Sequence, residues 1–497
     1  MKKRILSLLT LACILLGSIP LSLSASAVGN DIFVYEITDG KVKITGCIPP
    51  ETGELIIPSE IDGCPVTEIA KDAFGAWTWL ESVVIPGSIT KIYIDAFYRC
   101  ELESIVVAEG NPVYHSENNC IIETETNVLV LGCKNSVIPD YVTEIGACAF
   151  DGCKGLTSVV IPEGVSKIQV YAFSEGVHLT EVVIPGNVTE IEHCAFQFCE
   201  KIKEIVIPEG VVIIGNDVFQ NCYALESISF PKSAMLIGYD GNPCGGCSSL
   251  KTVKVAEGNP KYRVENNCLI IIENNKMLLG CANSVIPDGV VSLDNSFKGC
   301  SRLKSIAIPK NVTDVNEIAF YECFGLMTVY CEAESQPEGW KYWLYYAGDY
   351  GFAVYWGCSA ESVKPLVDAQ MNTAGLVEEK YTSESWAKLQ TVIEEVKNFD
   401  PKDKTEDEIQ EMADKLNNAV LGLEKNPRLL GDVNGDKKIN SRDYVALKRY
   451  CFKNLELDED AIQAANVNGD NAINSRDYVL LKRHCFKTYT ITPEYVS

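Results

Sequence analysis

The sequence predicts three structural parts: a β-rich solenoid of short stacked repeats, a small three-helix bundle, and a helical domain built on a duplicated oxygen-rich loop. Three observations predict it. An Ala-Phe or similar pair recurs with its Phe at 74, 97, 150, 173, 196, 219, 297 and 320, most often at an interval of 23 residues. Residues 361 to about 426 become polar, lose cysteine and take a helical period. The 21-residue segment from Val433 to Lys453 returns 34 residues later as Val467 to Lys487, with 17 identities. A length of 497 residues with 46% hydrophobic content suffices for several cored domains and excludes a disordered or collagen-like chain.

The N-terminus reads as an export signal. Lys2, Lys3 and Arg4 precede an apolar run from Ile5 to about Leu23, and Ala25-Ser26-Ala27 follows as a cleavage site, so residues 1–27 are expected to be removed. No other segment approaches the roughly 18 to 20 apolar residues of a membrane span. With 43 basic against 68 acidic residues the formal charge is −25, which argues against nucleic acid or anionic membrane as a partner. Only 4 histidines occur, leaving little for histidine metal sites or His-based triads.

Each 23-residue unit carries two narrow apolar edges. In Leu156-Thr157-Ser158-Val159-Val160-Ile161-Pro162, strand alternation puts Leu156, Val159 and Ile161 on one side. A second column follows as Val142 and Ile145, Val165 and Ile168, Val188 and Ile191, then Val211 and Ile214. A unit cannot bury both edges alone, so the units must stack. Two intervals of 53 residues, Phe97 to Phe150 and Cys244 to Phe297, hold matching inserts. Val107-Ala108-Glu109-Gly110-Asn111-Pro112 pairs with Val255-Ala256-Glu257-Gly258-Asn259-Pro260, and Leu131-Gly132-Cys133 with Leu279-Gly280-Cys281. A larger repeat was duplicated, each copy adding an expected β-hairpin excursion.

This pattern resembles the bacterial surface-antigen type of leucine-rich repeat, over residues 28–358. Phe33 to Ile37 and Val42 to Ile44, joined at Asp39-Gly40, look like its N-terminal cap. Val329 to Gly357 looks like its C-terminal cap, with an aromatic cluster of Trp340, Tyr342, Trp343, Tyr345, Tyr346, Tyr350, Phe352, Tyr355 and Trp356. The resemblance implies a surface adhesin or interaction protein that binds a protein or glycan.

The cysteines mostly follow the repeat. Cys100, Cys153, Cys199, Cys222, Cys300 and Cys323 each fall three residues after the Phe, where a thiol serves as a small buried hydrophobe. Cys120 with Cys133 and Cys268 with Cys281 are the better disulfide candidates, each pair within one insert. The Cys148/Cys153 and Cys244/Cys247 spacings lack the second half of a zinc site. On the strand face the outward positions, such as Ser158, Val160, Glu181, Val183, Glu204 and Val206, are small or acidic, without an aromatic row for sugar stacking.

Residues 359–427 are expected to form a three-helix spacer. Its first helix runs from about Val363 to Leu376. Trp386, Leu389, Val392, Ile393 and Val396 form a second stripe, and Ile409, Met412, Leu416, Ala419, Val420 and Leu423 a third. Thr405 and Glu408 make a capping box. The segment resembles the FIVAR helical modules of secreted bacterial proteins.

The C-terminal duplication carries the sharpest chemistry. Calcium takes hard oxygen ligands at loop positions 1, 3, 5, 9 and 12 with a backbone carbonyl at 7. In the first loop these are Asp432, Asn434, Asp436, Asn440 and Asp443, with the Lys438 carbonyl. In the second they are Asn466, Asn468, Asp470, Asn474 and Asp477, with the Ala472 carbonyl. Two such EF-hand-like loops, each with only a following helix and with Asp last, resemble a type I dockerin over residues 428–497. The resemblance implies two Ca²⁺ ions and docking onto a scaffoldin cohesin in a cellulosome-type complex. The partner-reading positions are then Ser441, Arg442, Lys448 and Arg449, with Ser475, Arg476, Lys482 and Arg483 in the second copy. Lys437 and Asn471 stand where Gly is usual, and Asn466 removes one carboxylate, so the second site should bind calcium more weakly.

The expected function is therefore a secreted, non-catalytic component of such a complex. A polysaccharide-degrading enzyme is the alternative, since dockerins usually carry glycosidases, but no Asp or Glu pair stands out as acid and nucleophile. A subunit that regulates enzymes of the same complex is the other.

Overall fold

The computed structural model describes residues 32–48, 53–239, 241–340, 351–426, 428–435, 438–451, 455–457, 459–467, 473–485 and 495–496. The signal segment, Asp436, Asn468, Asp470, Ala472 and five of the clustered aromatics (Tyr342, Trp343, Tyr345, Tyr346, Tyr350) lie outside them. Two compact units emerge, residues 1–367 with 400–404, and residues 368–399 with 405–497.

The solenoid opens on an antiparallel hairpin of Phe33–Thr38 and Lys41–Cys47. Its turn has positive φ at Asp39 and Gly40 (50° and 70°), as a two-residue hairpin loop of matching twist requires. From there the chain repeats in parallel register. Ser158, Val159 and Val160 pair with Glu181, Val182 and Val183, an offset of one unit. The second column pairs Glu144–Ile145 with Lys167–Ile168, Glu190–Ile191, Ile213–Ile214 and Leu236–Ile237 in one sheet. Val142, Ile145, Val165, Ile168, Val188, Ile191, Val211 and Ile214 are all fully buried, as the alternation requires.

Between the two edges the phenylalanines stack. Phe150, Phe173, Phe196 and Phe219 lie 5.1, 5.2 and 5.7 Å apart, centroid to centroid, with ring planes within 10°. The backbone around each ring points its amides at the next unit: the N–H groups of Cys148, Phe150 and Gly152 donate to the carbonyls of Val170, Ala172 and Ser174 at 3.0, 2.8 and 2.8 Å. That alternation forces left-handed backbone two residues before and after the ring, at Cys148 and Gly152, Tyr171 and Glu175, Cys194 and Phe198. Non-glycine residues seldom adopt it, so the stacking hydrogen bonds override local preference.

The thiol ladder has its own partner. Cys100, Cys199, Cys222 and Cys323 each donate to the carbonyl of the preceding unit's Phe, at 3.1, 3.3, 3.2 and 2.9 Å. Cys247 does the same to Phe219 at 3.0 Å. Every described cysteine is a free thiol, including Cys120, Cys133, Cys268 and Cys281, which corrects the disulfide expectation. The Cys120 Sγ faces the carbonyls of Asn118 and Val137, while Cys133 Sγ faces that of Asn119, so the two sulfurs address different backbone. Burial pushes the thiols of Cys100, Cys153 and Cys300 up to about 12. Thiolate is the reactive form. Alkylation of the native chain is therefore expected to spare the whole ladder and to label exposed Cys451 first; ladder labelling before unfolding, read by peptide mapping, would contradict the packing.

The inserts depart from the expected hairpins. Each is a three-strand meander, Tyr114–Glu117, Cys120–Glu123 and Val128–Leu131 in the first copy, Tyr262–Glu265, Cys268–Ile271 and Lys276–Leu279 in the second. The third strand joins the solenoid wall in parallel, Val128 to Glu144 and Leu129 to Ile145. The insert is thus part of the wall. Ile121 packs with the N-terminal core, while Cys120 and Ile122 pack with the central one. Asn111 anchors the entry, donating to Pro86 and Ile89 carbonyls while accepting from the Val113 and Tyr114 amides; Asn259 repeats this with Pro231 and Ala234.

The exit needs a glycine. A Cβ on Gly132 would lie 2.1 Å from the Phe150 ring, and one on Gly280 2.5 Å from the Phe297 ring. Gly132→Ala is expected to destabilise the repeat region by about 1–3 kcal/mol, the cost of overpacking a core. An unchanged unfolding midpoint would show that the strand does not cross the ring so closely.

At the far end Thr328–Cys331 pairs in parallel with Ala353–Trp356. Trp340 and Phe352 are buried, and Trp340 lies 5.5 Å from Trp356. The described aromatics pack as a cap.

In the helical segment α1 spans Ala360–Met371, α2 Ser383–Lys397 and α3 Glu406–Leu421. The first helix starts earlier than its periodicity suggests because the Ser359 hydroxyl accepts from the Ser362 amide, capping it. The capping box forms, with the Thr405 N–H donating to Glu408 at 2.9 Å and the Glu408 N–H donating to the Thr405 hydroxyl. Leu389 and Val396 on α2, with Ile409, Ala413 and Leu416 on α3, are buried. Among the described residues no helix is long and apolar enough to cross a membrane.

Candidate calcium loops and docking face

The duplicated segment folds as loop–helix twice. Helix α4 spans Ser441–Cys451 and α6 spans Ser475–Cys485; a short helix α5, Glu459–Ala465, lies between them in the chain. Val433, Leu447, Ala465, Val467 and Leu481 form the local core, with Ile439, Ile473, Tyr444 and Tyr478 packed on it. Sequence reasoning missed α5; its signal was the small residues Ala461, Ala464 and Ala465, all buried. It also missed the junction of the two halves, where the Tyr444 and Tyr478 rings stack at 4.9 Å and their hydroxyls hydrogen-bond at 2.5 Å.

The last acid of each loop organises it. Asp443 is buried and accepts from the Asn434 N–H at 3.0 Å and the Asn440 N–H at 2.8 Å, bending both ends of the first loop around one carboxylate. Asp432, also buried, accepts from the Gly435 N–H at 2.8 Å. In the second loop buried Asp477 accepts from the Asn474 N–H at 3.0 Å. Asn440 and Asn474 each accept from an amide two residues on, starting the helices. The structure thus brings together Asp432, Asn434, Asn440 and Asp443, and Asn474 with Asp477. Among the described residues no cluster of three or more His, Cys, Asp or Glu forms; Asp436, the third acid of the first loop, lies outside them.

Do these residues fit calcium? Their donor set is hard oxygen, the chemistry the ion takes. Two carboxylates are buried at the first loop and one at the second, and burying a carboxylate costs free energy that a bound cation would offset. The Asn466 Oδ1 is buried with no hydrogen-bond partner among the described residues, an orphaned acceptor at the first position of the second loop. All three observations fit a divalent cation.

Ser441, Arg442, Lys448 and Arg449 are exposed, as are Ser475, Arg476, Lys482 and Arg483. A spacing of seven residues is nearly two helical turns, so each Ser-Arg pair shares a helix face with its Lys-Arg pair.

The chain matches the family described as BspA type leucine rich repeat region in six copies, over residues 55–124, 130–242 and 278–337. It matches the dockerin type I domain over residues 430–485. No curated protein matches. Among solved structures the chain is similar to a leucine rich cell surface protein of Faecalibacterium prausnitzii, with 18% identity over 71% of this chain and 98% of that one, at a TM-score of 0.36. A leucine-rich repeat protein of Eubacterium ventriosum shows 20% identity over 66% and 94%, at 0.33. The pneumococcal vaccine antigen PcpA shows 17% identity over 55% of this chain at 0.34, and the chain spans 56% of that antigen's length.

Proposed function

We propose that this chain, which carries a BspA-type leucine-rich repeat region followed by a type I dockerin domain, is a secreted non-catalytic component of a cellulosome-type complex. Residues 1–27 export it, 28–358 recognise a ligand, 359–427 space the two ends, and 428–497 dock onto a scaffoldin cohesin. The observation that carries this reading is the twice-repeated pairing of a buried loop carboxylate, Asp443 or Asp477, with an exposed Ser-Arg and Lys-Arg helix face.

Calcium, when bound, supplies the positive charge that these loops gather oxygen around. Asp432, Asn434, Asp436, Asn440, Asp443 and the Lys438 carbonyl hold the first ion. Asn466, Asn468, Asp470, Asn474, Asp477 and the Ala472 carbonyl hold the second. This chain's residues do the rest: Asp443 fixes both ends of its loop, and the loop fixes the first turn of α4, which orients the four docking side chains.

For the repeats, the strand face supports a protein ligand over a sugar. Val160, Val183 and Val206 stand 80%, 62% and 62% exposed at equivalent positions, an apolar row flanked by Ser158, Glu181 and Glu204. An exposed apolar row of this kind marks a contact surface for another macromolecule, and it offers no ring for stacking.

Two measurements test the reading. The full chain with calcium should bind an immobilised type I cohesin and lose that binding in excess chelator. It should release no sugar from plant or mucosal polysaccharides. Hydrolysis would favour the enzyme alternative, and calcium-independent or absent cohesin capture would remove the docking assignment.

A further inference from the structure

Where the first insert enters the solenoid, one backbone donor loses its place. In six units the amide of the central aromatic donates across to the next unit: Phe74 to Ala96, Phe150 to Ala172, Phe173 to Ala195, Phe196 to Val218, Phe219 to Pro243 and Phe297 to Ala319, at 2.8 to 2.9 Å. By this pattern Phe97 should donate to the Ala149 carbonyl. That carbonyl instead accepts from the Gly132 N–H of the insert, at 2.8 Å. Among the described residues nothing accepts from the Phe97 N–H.

The second insert creates the same conflict and shows what resolves it. Gly280 takes the Ser296 carbonyl at 2.7 Å, which displaces Cys244, the residue in the aromatic's place. There the side chain of Asn242 fills the gap. Its Oδ1 accepts from the Cys244 N–H at 2.7 Å, and its Nδ2 donates to the carbonyls of Asn295 at 3.1 Å and Ser296 at 3.4 Å. Asn242 is buried, so the amide is an internal plug.

The first copy has Asp95 where the second has Asn242, two residues before the ring position. A carboxylate can accept from an N–H but has no proton for two carbonyls. Asp95 instead holds a left-handed backbone and pairs with Lys71 at 3.5 Å. Beside this position lies a pocket of about 160 Å³, lined among others by Tyr93, Asp95, Phe97, Tyr98, Cys148 and Gln169. Its wall is mostly apolar, with Ile92, Val128, Val130 and Leu131, and it is large enough for a small organic group, since a water takes about 30 Å³.

We propose that this cavity binds a primary carboxamide. The ligand's oxygen accepts from the Phe97 N–H, and its NH₂ donates to the carbonyl of Cys148, the counterpart of Asn295. A carboxylate of the same shape is rejected, because it meets the Cys148 carbonyl oxygen and Asp95 with no proton to offer. The amide comes either from a free small molecule or from an Asn or Gln side chain of a bound protein.

The test is an ¹⁵N titration of the full calcium-loaded chain, following the Phe97 amide, with propionamide and with propionate. Propionamide is expected to move that resonance, and propionate to bind at least about tenfold more weakly. Asp95→Asn should supply its own plug and weaken propionamide at least tenfold, whereas Asp95→Ala should leave it able to bind. Acetyl-glutamine methylamide against its glutamate counterpart separates the sources: binding of the glutamine form assigns a protein side chain, and binding of propionamide alone assigns a free amide. Equal response to propionate, no movement of Phe97 with any amide, or undiminished binding in Asp95→Asn while Asp95→Ala stays folded would each overturn the proposal.

Discussion

Removing calcium is expected to unfold residues 428–497 while leaving the solenoid's β-sheet signal in place. Among the described residues the buried local core, Val433, Leu447, Ala465, Val467 and Leu481, is small for a fold of this length. The same segment buries Asp432, Asp443 and Asp477. Burying carboxylates is costly, and a cation bound among these loop oxygens offsets that cost, so metal binding becomes folding free energy. Asp443→Ala should be the most damaging single change, because it removes a charged ligand and also strips the acceptor from the Asn434 and Asn440 amides. Both bonds are part-buried, so water recovers some of the loss and each costs on the order of 1 kcal/mol. Asp432→Ala should follow, with a loss of calcium affinity near a hundredfold, about 2.7 kcal/mol. Asn466→Ala should cost least, since it deletes a neutral oxygen. Helical circular dichroism and amide exchange of residues 428–497 in chelator read the effect directly. Protection that survives chelation would mean these loops do not depend on calcium.

Much of this architecture was legible because it is local or periodic. The 23-residue spacing alone placed Phe150, Phe173, Phe196 and Phe219 in one stack, and spacing within each loop placed Asp443 and Asp477 at the end that nucleates a helix. What stayed hidden depends on contacts distant in the chain. Tyr114 to Glu123 reads locally as an antiparallel pair with an Asn-Asn turn, and nothing nearby announces that Val128 and Leu129 will pair in parallel with Glu144 and Ile145. The glycine of Leu131-Gly132-Cys133 looked like a repeat marker; its reason, the Phe150 ring beneath it, is 18 residues away in sequence. The strand face was read correctly as to which side chains point outward, yet alternation does not say how fully Val160, Val183 and Val206 stand clear of their neighbours. Asp95 and Asn242 carry the same lesson. One atom separates their side chains, yet Asp95 takes a left-handed backbone and pairs with Lys71 while Asn242 bridges two units, and only the folded contacts show that difference.

Disabling one docking face alone should barely weaken cohesin binding, and disabling both should abolish it. The two copies agree at 17 of 21 positions, and each presents its Ser-Arg and Lys-Arg pairs exposed on one helix face. Tyr444 and Tyr478 meet across the junction of the halves, so a half-turn about that contact exchanges Ser441, Arg442, Lys448 and Arg449 for Ser475, Arg476, Lys482 and Arg483. Two equivalent orientations differ from one by a factor of about two in affinity, roughly 0.4 kcal/mol. The fourfold variant Ser441→Ala, Arg442→Ala, Lys448→Ala and Arg449→Ala should therefore bind cohesin within about twofold of the parent. Adding the matching four changes on α6 should leave no measurable complex, with calcium-dependent circular dichroism retained as proof of folding. Exposed residues that avoid the core and the loops seldom destabilise, so the eightfold variant should still fold. Loss of binding from either fourfold set alone, with the fold intact, would establish a single orientation. The pair Tyr450 and His484, one of four differences between the copies and adjacent to the Lys-Arg positions, would then supply the bias, and exchanging the two residues should move cohesin to the other face.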